Sequence, residues 1–375
     1  MKVIRLSKSC ISKKEKISVI KVLSKGFLGM GPIVKKFEAK LSKFFSRNVV
    51  CLNSGTAALH VALQACGIGK NDEVIVPSLT YVASFQAISA TGAKPVACDI
   101  DLENLHMCPS DLKKKITKKT KAIMPVHLTG SADNLDKIYI IAKRYKLRVI
   151  EDAAHAFGTI YKKRKVGSFG DISCFSFDGI KNITSGEGGC IVTNDKKILK
   201  RSKDIRLLGI TNDSEKRYLG HRSWISDVKY QGWRYHMSDI NASIGLAQLQ
   251  KYNLLSRRRK ILCKLYDKEF KENKYIKLFK KNYKDVSPHI YVVRIINLKK
   301  RDILRKKLSK KGIQTGIHYF PNYKYTKYKE LSNRFPNTEK VFKQILSLPM
   351  HPDMTLQQIK FVSRELKSLI NKNYL

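Results

Sequence analysis

Ser176-Phe-Asp-Gly-Ile-Lys181-Asn-Ile-Thr-Ser-Gly186-Glu-Gly-Gly189 is the stretch on which the fold turns. The residues before it, Asp171-Ile-Ser-Cys-Phe-Ser-Phe177, read as a strand, and Cys190-Ile-Val-Thr193 after it read as another. A lysine in a glycine-rich turn between two buried strands is oddly placed. It must reach solvent, find a partner or lose its charge, because an unpaired buried ammonium is costly. The ordinary reading is a surface lysine on a loop. The alternative is a Schiff-base lysine, since a desolvated amine is a usable nucleophile. What lies upstream has to decide between them.

The chain has 375 residues, enough for one large domain and a smaller one. Hydrophobic residues make up 43% of it, which argues for a globular protein and against disorder. No stretch has the length of a transmembrane helix. The start, Met1-Lys-Val-Ile-Arg-Leu-Ser-Lys-Ser-Cys10, is basic but lacks the apolar segment of a signal peptide. Eight cysteines occur without a C-x-x-C pair, and Cys51, Cys98 and Cys174 fall inside apolar runs. That pattern predicts buried reduced thiols in a cytoplasmic protein and no metal site. The formal charge of +44 raises nucleic-acid binding as a reading. The lysines are spread along the whole chain and no binding motif accompanies them, so the charge is read as compositional. Such a surface still draws anionic small substrates towards a cleft.

Outward from Lys181, helix-like and strand-like segments alternate. Gly31-Pro32 opens a helix through Phe37 and Phe45, with proline in its first turn. Strands are predicted at 49–52, 73–76, 95–99, 122–126 and 148–151. Helices are predicted at 55–65, 81–91, 109–116 and 134–145. Continuous apolar strands separated by such helices predict an α/β fold with a mostly parallel central sheet flanked by helices. Ligands of such sheets bind beyond the C-terminal strand ends. Helices at 240–249 and 254–270 lead out of this region. A strand at 290–296, a helix at 301–311, a strand at 314–319 and helices at 338–346 and 356–370 follow. The division expected is a large domain over 1–254, with an N-terminal helical arm, and a small C-terminal α+β domain over 255–375.

Three features fall at strand ends. Asn53-Ser-Gly-Thr-Ala-Ala-Leu59 follows a strand and opens a helix, where free N–H groups and the helix dipole can receive a phosphate. Its plainer reading is a helix cap. Glu151-Asp-Ala-Ala-His-Ala156 ends an apolar strand with two adjacent carboxylates, costly unless something neutralises one of them. A pyridinium nitrogen would do so; a capping aspartate with His155 as a neutral core residue is the alternative. The third is Lys181, with Ser176 able to give a hydroxyl to a phosphate and Gly186, Gly188 and Gly189 permitting close approach. A phosphate cup, an aspartate and a lysine on one sheet edge together suggest pyridoxal 5′-phosphate (PLP), which needs an anchor, an acid partner and an amine.

The chain resembles the DegT/DnrJ/StrS sugar aminotransferases, PLP-dependent enzymes of the aspartate-aminotransferase fold. The likeness rests on Gly29-Met-Gly-Pro32, Asn53 to Leu59, Val76-Pro-Ser-Leu-Thr-Tyr-Val82, Gly92-Ala-Lys-Pro95, Pro125-Val-His127, Glu151-Asp-Ala-Ala154, Gly167-Ser-Phe-Gly-Asp171, the Lys181 segment, Gly316-Ile-His-Tyr319 and Leu346-Ser-Leu-Pro349. The resemblance implies that Lys181 is the catalytic lysine bonded to the cofactor and that Asp152 pairs with the pyridine nitrogen. It implies phosphate contacts from Gly55, Thr56, Ala57 and Ser176, and an aromatic residue, Tyr81, against the cofactor ring. His155 stands where many members carry glutamine near the cofactor hydroxyl. Gly232-Trp-Arg-Tyr-His-Met237 departs from the usual Gly-Tyr-Asn-Tyr-Arg-Met, so Arg234 stands where an asparagine reaches the neighbouring subunit's phosphate. A charge-assisted contact from Arg234 would be stronger. The resemblance also implies a homodimer with shared active sites.

The expected reaction passes an amino group from an amino acid, L-glutamate, to a keto carbon of a nucleotide-linked 4-keto-6-deoxy sugar, for cell-surface polysaccharide or glycan synthesis. Thr184-Ser-Gly-Glu-Gly-Gly189 resembles members that act at C4. His289, His318 and Tyr319 are candidate substrate contacts; each reads equally as a packed polar residue. Some members of the family are dehydratases carrying histidine in place of the lysine, and others were named as regulators. Lys181 argues against the first, and the set of Lys181, Asp152 and Ser176 against the second.

Overall fold

The computed structural model describes residues 3–211, 227–279, 281–331 and 334–370. Of the segments expected from sequence, the chain's first two residues and 371–375 lie outside the described residues.

Seven strands form the central sheet: β1 (Asn48–Leu52), β2 (Glu73–Pro77), β3 (Lys94–Cys98), β4 (Thr120–Ile123), β5 (Arg148–Asp152), β6 (Ile172–Ser176) and β7 (Gly189–Thr193). Their order is β1-β7-β6-β5-β4-β2-β3. The pairs from β3 to β6 are parallel, and β7 runs antiparallel to both β6 and β1. The sheet is therefore mostly parallel, as its continuous apolar strands predict: β6 and β7 are buried along their whole length. Helices Gly55–Ala65, Val82–Ala90, Pro109–Lys115 and Leu135–Arg144 connect the parallel strands. The helix Pro32–Phe45 buries Val34, Phe37, Leu41 and Phe45, an i, i+3, i+7, i+11 stripe, beneath β1 and β7. Each such side chain contributes about 1.5–3 kcal/mol by leaving water. Its first turn is fixed from a distance: Asp239 accepts from the N–H groups of Gly31 (2.9 Å), Ile33 (3.2 Å) and Val34 (2.9 Å).

The C-terminal part has a three-stranded antiparallel sheet, β8 (Ile276–Leu278), β9 (Tyr291–Ile295) and β10 (Ile345–Leu348), in that order. Helices Tyr252–Phe270, Arg301–Lys310 and Leu356–Ile370 share a hydrophobic cluster with it, and Ile4 from the N-terminus packs into the same cluster. Two expectations change here. Residues 314–319 form no strand. Only Gly316 pairs, with Ser347, after which the chain turns His318 and Tyr319 towards the large sheet. The helix expected over 338–346 is Pro336–Gln344, and its last expected residues belong to β10, because the Ile345–Leu348 run pairs with β9. The helix Lys13–Leu23 leaves Ile17, Ile20 and Leu23 exposed, so it carries no burial stripe to read. It is held through Glu15, which pairs with Lys251 at 2.6 Å. Among the described residues no helix is long and apolar enough to cross a membrane, and no cluster of metal-ligating side chains occurs.

Candidate active site

A cavity of about 400 Å³ opens at the C-terminal ends of the parallel strands. Its wall includes Gly55, Thr56, Tyr81, Asp152, His155, Ser176, Lys181, His318 and Tyr319. A larger surface groove of about 1060 Å³ lies elsewhere, between helices Lys13–Leu23, Pro32–Phe45 and Asp239–Gln250. It holds lysines and apolar side chains without an acid, base or nucleophile set. The smaller cavity is the one that gathers such groups, among them Asp152, His155 and Lys181.

One end of the cavity is a cup of backbone. The Ser54 hydroxyl accepts from the Ala57 N–H at 3.0 Å and so caps the helix Gly55–Ala65. The N–H groups of Gly55 and Thr56, in the first turn, have no acceptor within the helix. Gly55 lies so close to Ser176 that a Cβ there would sit 2.8 Å from the Ser176 Cβ; one on Gly189 would sit 2.4 Å from the Ser54 carbonyl oxygen. Only glycine lets the helix start and the two strand ends approach this closely.

At the end of β5 the two carboxylates part company, because successive side chains of a strand face opposite sides. Glu151 is fully buried, 2.7 Å from His127 Nε2, and accepts from the Tyr139 hydroxyl at 2.7 Å. Asp152 faces the cavity. Its Oδ2 accepts from the Ser84 hydroxyl at 2.7 Å and its Oδ1 from the Ala154 N–H at 3.2 Å. The cost of two adjacent acids is thus met twice, by a histidine and a phenol on one side and by a hydroxyl and a backbone donor on the other.

Lys181 stands opposite on the turn between β6 and β7. Among the described residues its ammonium has no ion pair or hydrogen bond. Burial lowers its proton affinity, against the pull of Asp178 and Asp152, and the Arg259 charge lowers it further. The histidines at this end are also kept neutral. Burial pushes His155 and His289 well below the ordinary imidazole value, with the Lys181 charge adding to it, and holds His318 at about 4. His155 Nε2 lies 3.1 Å from the Tyr319 hydroxyl, and its ring centroid is 4.3 Å from that of His289. His155 Nδ1 is buried without a partner. Tyr81, 57% exposed, leans on Tyr319 with ring centroids 5.5 Å apart.

These residues fit PLP on their own chemistry. A glycine-lined cup with spare N–H donors suits its phosphate, the buried ionisable Asp152 its ring nitrogen, the orphaned His155 Nδ1 a ring hydroxyl, and the unpaired Lys181 amine its aldehyde.

Three expected residues do not line the cavity within one chain. Ala57 is buried in the helix, its N–H already bonded to Ser54. His289 is buried behind His155. Arg234 is exposed on a segment bridged to Leu207. Two side chains were missed. Ser84 has no motif to mark it. Arg259 had a signal: Tyr252, Leu255, Ser256, Arg259, Leu262, Cys263 and Tyr266 are the buried stripe of the helix Tyr252–Phe270, and of Arg257, Arg258 and Arg259 only the last falls on it.

The model of the DegT/DnrJ/EryC1/StrS aminotransferase family matches residues 9–367. MJ1066 of Methanocaldococcus jannaschii, an uncharacterized protein, is 38% identical over 375 residues, 97% of each chain. Among solved structures, Spr1654 of Streptococcus pneumoniae, assigned as a sugar aminotransferase, is similar in its PMP form with a TM-score of 0.92 at 31% identity, covering 99% of this chain and 98% of that one. Its PLP form gives 0.91 at 31% identity, covering 99% of each. PseC of Helicobacter pylori, an aminotransferase involved in the biosynthesis of pseudoaminic acid, gives 0.92 at 27% identity, covering 99% of this chain and 100% of that one.

Proposed function

The chain belongs to the DegT/DnrJ/EryC1/StrS aminotransferase family and is a PLP-dependent sugar aminotransferase, and from that premise we propose that it passes an amino group from L-glutamate to C4 of a nucleotide-linked 4-keto-6-deoxy sugar, for glycan assembly in the cytoplasm. The observation that carries the reading is Lys181: a desolvated amine without an ion pair, sharing one cavity with Asp152 and the glycine cup. When bound, PLP supplies an electron sink for the carbon that loses its proton. The Lys181 amine would bond the cofactor aldehyde and, once displaced, would take the proton from the donor carbon in one half-reaction and supply a proton to the sugar carbon in the other. The Asp152 carboxylate would keep a proton on the ring nitrogen, and the Ser84 hydroxyl holds that carboxylate in place. Gly55, Thr56 and Ser176 would hold the phosphate, Tyr81 would lie against the ring, and His155 would meet its hydroxyl. His318 and Tyr319 bound the substrate end, with His289 buried behind His155 as their support, and the neutral state of His318 suits hydrogen bonding to sugar hydroxyls. The exposed position of Arg234 is consistent with a phosphate contact made across a homodimer. The Thr184–Gly189 sequence supports C4 over C3.

The purified protein is expected to show the visible absorption of lysine-bound PLP, lost on borohydride reduction and absent in Lys181→Ala. Incubation with glutamate and a panel of 4-keto nucleotide sugars, read by mass spectrometry, identifies the acceptor. A wild type that stays colourless with added PLP sinks the reading. Salt-dependent DNA binding by such a protein would return the +44 charge to the centre of the problem. Light scattering tests the dimer.

A further inference from the structure

The helix Tyr252–Phe270 buries a cation that no acid accounts for. Arg259 is 3% exposed. Burial holds its guanidinium down to about 10, which leaves it cationic at neutral pH, and among the described residues none of its hydrogen bonds or ion pairs is to a carboxylate. A buried guanidinium is ordinarily matched by a carboxylate, since the desolvation cost is large. Here its donors go to main-chain oxygens: Nη1 to the His289 carbonyl at 2.9 Å, Nη2 to the carbonyls of Ile180 and Lys181 at 3.3 Å each. Nη1 also lies 3.7 Å from the Met350 sulfur, and Nε has no partner.

We propose that Arg259 is a positioning residue for Lys181: its guanidinium ties the Ile180 and Lys181 carbonyls to that of His289, so that the lysine turn is held and its amine is directed into the cavity. The planar fork is what lets one side chain reach carbonyls of consecutive residues, and a guanidinium does not give up its charge as an amine does. The electrostatic balance has a clear sign. Asp178 and Glu187, on the lysine's own turn, and Asp152, at the end of β5, favour its protonated form. The imidazoles of His155, His289 and His318 face it as neutral groups, each pushed below the ordinary value by burial. Desolvation and Arg259 are what oppose the acids. The three carboxylates favour the protonated lysine, which is no nucleophile, and burial and Arg259 act the other way. The same clamp joins the lysine turn to the segment leading into β9, so the orientation of the amine depends on how the small sheet sits against the large one.

The inference rests on Lys181 being the amine that bonds the cofactor, and its test therefore reads the amine in PLP-free protein. Trace acetylation with acetic anhydride over roughly pH 6 to 11, followed by mass spectrometry of the Lys181 peptide, gives its titration midpoint. In Arg259→Gln the midpoint is expected to rise by about 1 unit, so that roughly tenfold less neutral amine is present below it. Arg259→Lys keeps the charge and loses the fork; its midpoint is expected to stay near that of wild type while PLP loading, trapped by borohydride, slows about tenfold. A purely structural strut would lower Tm in both variants and move neither readout. An unchanged midpoint in Arg259→Gln overturns the proposal. Should that variant not fold, wild-type loading in Arg259→Lys overturns it equally. A wild type that never traps PLP overturns the underlying reading of Lys181 instead.

Discussion

The Ser84 hydroxyl donates a 2.7 Å hydrogen bond to Asp152 Oδ2, and both groups are buried. Thr80 Oγ1 lies 3.2 Å from the same hydroxyl, so a short polar chain runs from the segment after β2 to the acid at the end of β5. A hydrogen bond to a charged acceptor is worth about 1.5–3 kcal/mol, more than a neutral one.

Ser84→Ala should therefore weaken PLP binding by roughly tenfold or more, because the carboxylate loses the donor that fixes its rotamer. An absorbance titration of the variant with PLP measures this. Equal affinity in the two proteins would show that Asp152 needs no such support.

Gly55→Ala puts a methyl group 2.8 Å from the Ser176 Cβ, a contact with no flexible end to give way. Overpacking of this kind costs about 1–3 kcal/mol. Urea denaturation should show that loss, and added inorganic phosphate, expected to occupy the cup in wild type, should protect the variant less.

His127→Ala leaves the fully buried Glu151 with only the Tyr139 hydroxyl. Leaving a fully buried carboxyl group short of a hydrogen-bond partner costs roughly 1–3 kcal/mol. The midpoint of chemical denaturation should fall accordingly. Glu151→Gln together with His127→Ala should recover part of the loss, since no charge is then left unpaired.

Acid should destabilise the fold well above the range of ordinary carboxylates. Burial holds His106 and His318 at about 4, from an ordinary 6.5. Between those values the unfolded chain binds more protons than the folded one, so stability rises with pH there. The contribution of these neutral imidazoles is fully present above about 6.5 and is lost as pH falls through about 4. Thermal melts across that window should show a steep fall in Tm. His106→Gln, outside the cavity, should reduce the loss by on the order of 2 kcal/mol; an unchanged slope would contradict the assignment.

What could be read in advance followed from local rules. The strands of the large sheet are short apolar runs because both faces are covered, and that burial is written into consecutive residues. Lys181 is conspicuous because its glycine-rich turn lies between two such runs. The phosphate cup is legible for the same reason, as a serine-glycine helix start directly after a strand. The bounds of the helix Lys13–Leu23, in the expected N-terminal arm, could not be read because its apolar residues stay exposed and its anchor, Glu15 on Lys251, spans distant parts of the chain. The 314–319 segment misled because its strand-like residues make one ladder contact and then turn inward.

By itself the sequence determined the α/β class, the strand ends at which a site must form, and the residue types gathered there, since backbone periodicity and turn chemistry act over a few neighbours. Only the tertiary structure decided which polar groups meet. Which side of β5 receives Glu151 and which Asp152 depends on His127, Tyr139 and Ser84 arriving from other connections. Which of three consecutive arginines turns inward to hold the Lys181 turn depends on the seating of a helix against another sheet. Desolvation and hydrogen bonding are set by what lies within a few ångströms in space, and chain order does not encode that distance.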